Sequence, residues 1–291
     1  MGARPMGLSL STALRLGRVS NLPTVWTNVL AGVALSGAAA TGGALAALMV
    51  ALSLFYIAGM YFNDAFDAAH DARTRPTRPI PSGAVSARTV ILAGGAMMLA
   101  AFLLLAWLPA RTGGLLAALG LAAAILVYDA WHKGNPLGPV VMGLCRLLVY
   151  VTAALSLANA PDPGVYRAAA VALCYLIGLT YAAKQEDLRK MGSLWPLIFL
   201  AVPLAYGAPT ALRGGLALVA WLALAAVILW SVWLMTRRGP KAIGRVVALL
   251  IAGICLLDAL FIADAGRMGW AMLAMLGFPV TLAAQRLVPG T

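Results

Sequence analysis

The sequence predicts an all-α, polytopic membrane protein: a bundle of nine or ten transmembrane helices around a central cavity. Three observations carry this: the scarcity of charge, the length of the apolar blocks, and the placement of the basic residues. Of the 291 residues, 63% are apolar and only 10% charged. A soluble domain carries roughly a quarter charged residues, because water must wet its surface. A bilayer core of about 30 Å is crossed by about 20 apolar residues in helical form.

Blocks of that kind fall near residues 19–38, 43–62, 88–108, 112–131, 137–159, 164–183, 194–211, 214–236, 243–264 and 268–287. The seventh is interrupted by Pro196, Pro203 and Pro209 and the tenth contains Pro279, so the count is nine or ten. The blocks are continuous rather than alternating, which argues against barrel strands. Arg15 and Arg18 precede the first block as they would a signal peptide. It lacks a cleavage site and is followed by many equivalent blocks, so it reads as a retained span. Residues 1–291 read as a single transmembrane domain.

The net charge of +12 raises the question of a nucleic-acid partner. With the N-terminus inside, sixteen of the 21 basic residues fall in inner segments, four (Arg111, Arg167, Arg213, Arg267) in outer ones, and Arg146 within a span. That is a positive-inside pattern. It predicts an integral membrane protein, in the plasma (inner) membrane if bacterial, with a cytoplasmic N-terminus and no nucleic-acid partner. Cys145, Cys174 and Cys255 all lie in spans without metal or disulfide spacing, and read as small packing residues.

The chain has nine acidic residues, and three of them crowd into Asn63-Asp64-Ala65-Phe66-Asp67-Ala68-Ala69-His70-Asp71, directly after an apolar run. On a helix Asn63, Asp67 and Asp71 recur every four residues on one face, with Asp64 beside them. Carboxylates so placed repel unless something positive sits between them, and Mg²⁺ with its oxygen ligands fits. The following stretch, Arg73 to Gly83, is stiffened by Pro76, Pro79 and Pro81. Its Arg73, Arg75 and Arg78 offer planar donor forks for phosphate oxygens. Carboxylates for the metal beside arginines for phosphate predict a diphosphate site.

Further polar clusters open to the same side: Tyr128, Asp129, His132 and Lys133 where the fourth span ends, Arg146 in the fifth, and Lys184, Glu186 and Asp187 after the sixth. Several such clusters on one face of an apolar bundle imply a shared cavity. His70 points away from its acidic neighbours and reads mainly as a surface residue, and His132 stays ambiguous. Asp258, in mid-span, reads either as hydrogen-bonded between helices or as a polar group on the acceptor side. Asp264 reads as structural, and Trp221, Trp230 and Trp233 as packing or lipid-facing residues.

At Asn63, Asp64, Asp67 and Asp71, followed by Arg75, Arg78, Pro79, Ser82 and Gly83, the chain resembles the UbiA superfamily of intramembrane prenyltransferases. Tyr128 and Lys133 resemble that family's tyrosine and lysine after the fourth helix, and Arg18, Asn21 and Pro23 its first-helix motif. The resemblance implies a UbiA-like bundle that binds an isoprenoid diphosphate through Mg²⁺ and passes the prenyl group to a small hydrophobic, often aromatic, acceptor. By that resemblance Asn63, Asp64, Asp67, Asp71 and Asp187 hold metal. Asn63, Arg75, Arg78, Tyr128, Lys133, Arg146 and Lys184 hold the diphosphate. Asp64, Asp67, Asp71, Lys133, Glu186 and Asp187 act in catalysis.

One departure stands out. The second acid motif of such enzymes has aspartates four residues apart, whereas Glu186 and Asp187 are adjacent and diverge by about 100° on a helix. This marks a divergent member and keeps open a second reading, a non-enzymatic carrier or flippase for a lipid-linked intermediate. A CDP-alcohol phosphotransferase is excluded, because Asp71 is followed by Ala72 rather than glycine.

Overall fold

The computed structural model describes residues 8–185 and 193–290. Glu186, Asp187, Arg189 and Lys190 therefore lie outside the described residues. The described chain is helical throughout: α1 (Leu10–Leu16), α2 (Leu22–Ser36), α3 (Gly42–Thr74), α4 (Ala87–Ala106), α5 (Arg111–Trp131), α6 (Gly138–Leu155), α7 (Gly164–Ala183), α8 (Val202–Ala211), α9 (Gly215–Arg238), α10 (Ile243–Asp264) and α11 (Met268–Leu287). Among the described residues, seven stretches are long and apolar enough to cross a membrane, one of them Gly215–Asp264, which takes in both α9 and α10. All ten blocks read from the sequence are helical.

Local chemistry sets the boundaries. Ser9, Thr41 and Ser86 cap α1, α3 and α4, each side-chain oxygen accepting from a backbone N–H three residues on and so satisfying a donor the helix leaves free. Pro23 and Pro139 sit in the first turns of α2 and α6, where a missing N–H costs nothing.

Two blocks differ from the sequence expectation. The first is split: a 3₁₀ turn at Val19–Asn21 precedes α2, and a separate short helix, α1, lies ahead of it. The seventh begins as a 3₁₀ stretch, Trp195–Ala201, before α8. Pro203 explains this, since it cannot donate to the carbonyl four residues back and its ring crowds that position, so the α-helical ladder starts only at Val202.

Helix α3 is the element that places the site. Its 33 residues span about 50 Å at 1.5 Å per residue, well beyond the bilayer core of about 30 Å. The apolar run ends at Phe62, and the acid cluster sits on the turns of the helix that follow it.

Helix α2 runs through the middle of the bundle. Val25, Val29 and Val33 belong to one apolar cluster with residues of α3, α4 and α5, while Leu30, Ala31 and Ala34 belong to another with residues of α6, α7, α10 and α11. Gly32 permits the close crossing with α6, because a Cβ there would stand 2.8 Å from the Tyr150 carbonyl oxygen. Small residues bring membrane helices together in this way.

Candidate active site

The last turns of α3 bury all four of the polar residues the sequence singled out: Asn63, Asp64, Asp67 and Asp71 are each less than 9% exposed. His70 lies on the exposed side of the helix. Four buried polar residues without partners would be prohibitive, and each of them has one.

Arg18 is the first partner. It stands at the start of the 3₁₀ turn before α2 with φ 42°, the one non-glycine residue with positive φ among those described. From there its Nη2 reaches Asp64 Oδ1 at 3.1 Å and Asn63 Oδ1 at 3.5 Å. Arg78 is the second. Backbone bonds from Arg75 N to Asp71 O (2.7 Å) and Ser82 N to Arg78 O (2.9 Å) fold the proline-rich loop back on the helix end. Arg78 Nη1 then meets Asp71 Oδ2 at 2.8 Å and Asp64 Oδ1 at 3.5 Å.

The third acid, Asp67, is met from α5. Lys133 Nζ lies 2.8 Å from Asp67 Oδ1, and His132 Nε2 lies 3.7 Å from Oδ2. The His132 ring stacks on Tyr128 and its Nδ1 is 3.0 Å from the Tyr128 carbonyl oxygen, so the end of α5 presents a rigid face to the acids. Tyr128 is on the last turns of α5, within the fourth block read from the sequence. The positive charge that the spacing of the acids called for is thus supplied, within the chain, by Arg18, Arg78 and Lys133.

Among the described residues, no three His, Cys, Asp or Glu side chains converge closely enough to hold a metal ion by themselves. The donor chemistry still suits Mg²⁺, which keeps several waters and takes one or two carboxylates together with substrate phosphate oxygens.

Below this array lies an apolar cavity between α2, α3, α5 and α6. Val25, Leu52, Phe55, Met60, Leu121, Ile125 and Met142 line it, with Tyr56, Tyr128, Asp129 and Arg146 as its polar members. Arg146 is not brought to the acids. It donates to Asn28 Oδ1, and Asn28 Nδ2 in turn donates to Asp258 (2.7 and 2.8 Å) and Tyr150 accepts from it at 3.2 Å. Tyr150 and Thr27 also donate to Asp258. Asp258 is therefore the hydrogen-bonded centre between helices, one of the two readings its position allowed.

Lys184 is likewise apart from the acids, with Nζ donating to the Asn135 carbonyl at 2.6 Å. Partial burial lowers the pKa of its amine. Asp264 pairs with Arg213 at 3.3 Å on an exposed surface. Trp230 and Trp233 stack on each other in the open.

Sequence reading missed two members of the site. Arg18 was visible only as part of an entry motif, because nothing in its spacing shows that a left-handed turn aims it at α3. Asp129 was named in a polar cluster but given no role, although it is one of only nine acids and sits among Tyr128, His132 and Lys133. It is 5% exposed and its Oδ1 accepts from Asn63 Nδ2 at 3.1 Å.

Comparison with known proteins places this geometry. Two digeranylgeranylglyceryl phosphate synthases are similar in sequence. That of Haloquadratum walsbyi is 29% identical over 243 residues, covering 78% of this chain and 80% of its own. That of Methanopyrus kandleri is 32% identical over 207 residues, covering 69% and 71%. A UbiA homologue of Archaeoglobus fulgidus solved with GPP and Mg²⁺ shares the fold at TM-score 0.53 and 17% identity, over 94% of this chain and 99% of that one. The model of the UbiA prenyltransferase family matches residues 22–254, from α2 into α10, and this chain belongs to that family.

Proposed function

We propose that this protein moves a prenyl group from an isoprenoid diphosphate to a lipid-soluble acceptor within the membrane, with Mg²⁺ at the acid cluster. The observation that carries the reading is the buried array of carboxylates and guanidinium groups at the head of an apolar cavity. A diphosphate needs the first, an isoprenoid chain the second, and the array joins them. Family membership favours this reading over a carrier. The names of the two sequence relatives support a lipid acceptor, and the GPP- and Mg²⁺-bound structural neighbour supports the donor and the metal.

Asp64, Asp67 and Asp71, with Asn63 beside them, would hold the metal together with diphosphate oxygens, and Asp187 would contribute to a second site. The metal's chemistry is to neutralise the charge that develops on the departing diphosphate. Arg78 and Lys133, now paired with Asp71 and Asp67, would turn to the phosphate oxygens as the carboxylates turn to metal. Arg18 and Arg75 would join them from the two flanking loops. Such donors, fixed in advance, act where charge appears in the transition state. Phe55, Tyr56 and Tyr128 would screen the allylic cation from water and face it with aromatic rings. The positive-inside distribution supports a cytoplasmic site, opening to the side where a soluble diphosphate departs.

Asp67→Ala tests the assignment. It should abolish transfer of a radiolabelled prenyl diphosphate while gel filtration and circular dichroism stay those of the wild type. Full activity in that variant would overturn it.

A further inference from the structure

The cavity beneath the acid array contains one polar atom that the diphosphate site does not use. Asp129 Oδ2 is buried and has no hydrogen-bond partner among the described residues. Its sister oxygen is taken by Asn63 Nδ2 at 3.1 Å, so the carboxylate cannot rotate without breaking that bond. The side chain belongs to the cavity wall, among Ile125, Cys145 and Val149. Lys133 and Arg78 are committed to Asp67 and Asp71, and neither is within bonding distance of Asp129.

Buried polar atoms in proteins are almost always paired, and an unpaired one calls for an explanation. A carboxylate oxygen accepts and never donates when ionised. In that ionised form, what it lacks is a hydrogen-bond donor from the cavity it lines.

We infer that Asp129 Oδ2 is a recognition point for the acceptor: it receives a hydrogen bond from a hydroxyl group on the membrane-soluble acceptor, which shares the cavity with the isoprenoid chain of the donor. The inference deepens the transferase reading and rests on it for the view that the occupant is the acceptor. The chemical class it names is a hydroxyl-bearing lipid or phenol. Arg146 also lines the cavity, with its Nη1 held by Asn28.

A site built to bond a hydroxyl rejects the analogue that lacks it, because the buried acceptor is then left unpaired. The probes are therefore two matched pairs, 4-nonylphenol with 4-nonylanisole and oleyl alcohol with oleyl methyl ether. Affinities are measured by tryptophan fluorescence on the purified full-length protein in detergent, without prenyl diphosphate. The wild type should prefer the hydroxyl member of at least one pair by about tenfold. Asp129→Asn, which keeps the shape and a bond to Asn63, should reduce that preference to within about twofold.

No preference in the wild type for either pair overturns the inference, whether or not any variant folds. So does a preference that survives in Asp129→Asn. Because the ratio is read from binding alone, it stands apart from the transferase reading, which fails instead if no labelled prenyl group is ever transferred.

Discussion

Arg18 and Asp64 are 46 positions apart in sequence, and the 3.1 Å contact between them ties the entry turn of α2 to the acid-bearing end of α3. The contact depends on a left-handed residue at Arg18, a conformation that costs roughly 1–2 kcal/mol for a residue with a Cβ. A residue held in strain at a site is there because the surrounding structure fixes it. Arg18→Ala should lower kcat/KM for the prenyl diphosphate by about 10²-fold or more, the scale of losing one preorganised donor. Arg18→Lys should recover only part, since a point charge does not reproduce the fork. Steady-state kinetics with the labelled diphosphate decides it, and wild-type kinetics in the alanine variant would remove Arg18 from the site.

Lys133 separates binding from stability. Its side chain is 39% exposed, so water reaches the pair and can take the place of the ammonium beside Asp67, and an ion pair so placed contributes about 0–1 kcal/mol. Lys133→Ala should therefore leave the melting temperature nearly unchanged. If Lys133 turns to phosphate when the substrate binds, KM for the diphosphate should rise by about tenfold and its dependence on salt should weaken. A large fall in melting temperature with unchanged KM would make Lys133 a structural residue only.

Much of this was legible in the sequence, for identifiable reasons. The spans were readable because lipid demands a long unbroken apolar run, a requirement that no packing detail can disguise. The acid cluster was readable because Asn63, Asp64, Asp67 and Asp71 obey helical spacing within a single element. Arg78 was readable because only six residues separate it from Asp71. What stayed hidden was whatever depended on two distant elements meeting. Arg18 reaches Asp64 through a turn geometry that its neighbours in sequence do not announce. Arg146 looked like one more diphosphate cation, and only the meeting of α2, α6 and α10 shows it bonded to Asn28 instead. The prolines of the seventh block warned of a break without saying that it would take the form of a 3₁₀ stretch.

Asp258 is the deepest of these meetings. It is fully buried, and Thr27, Asn28 and Tyr150 all donate to it. Removing one partner from such a group strands the others, and breaking a buried charged network costs about 3–5 kcal/mol. Asp258→Ala should lower the melting temperature in detergent by far more than Lys133→Ala. Asp258→Asn, which keeps the acceptor oxygen, should fall between them. Because Asn28 joins Asp258 to Arg146, the alanine variant should also impair acceptor use more than diphosphate binding. Equal melting temperatures for the Asp258→Ala variant and the wild type would show that the network does not hold the helices together.

The crossing of α2 and α6 sets a contrast between two glycines. At Gly32 a Cβ would lie 2.8 Å from a backbone oxygen of Tyr150, whereas at Gly95, inside α4, it would meet nothing within 4 Å. Backbone cannot swing aside as a side chain does, so Gly32→Ala must push the helices apart, and overpacking of this kind costs typically about 1–3 kcal/mol. Moving α6 would also shift Tyr150 and Arg146, so activity should fall with stability. Gly95→Ala faces open space in a helix, where alanine is favoured over glycine by up to about 1 kcal/mol. It should be neutral or slightly stabilising, with full activity. Thermal unfolding of the two variants side by side checks the crossing, and equal melting temperatures would mean that α2 and α6 do not approach as closely as the glycine allows.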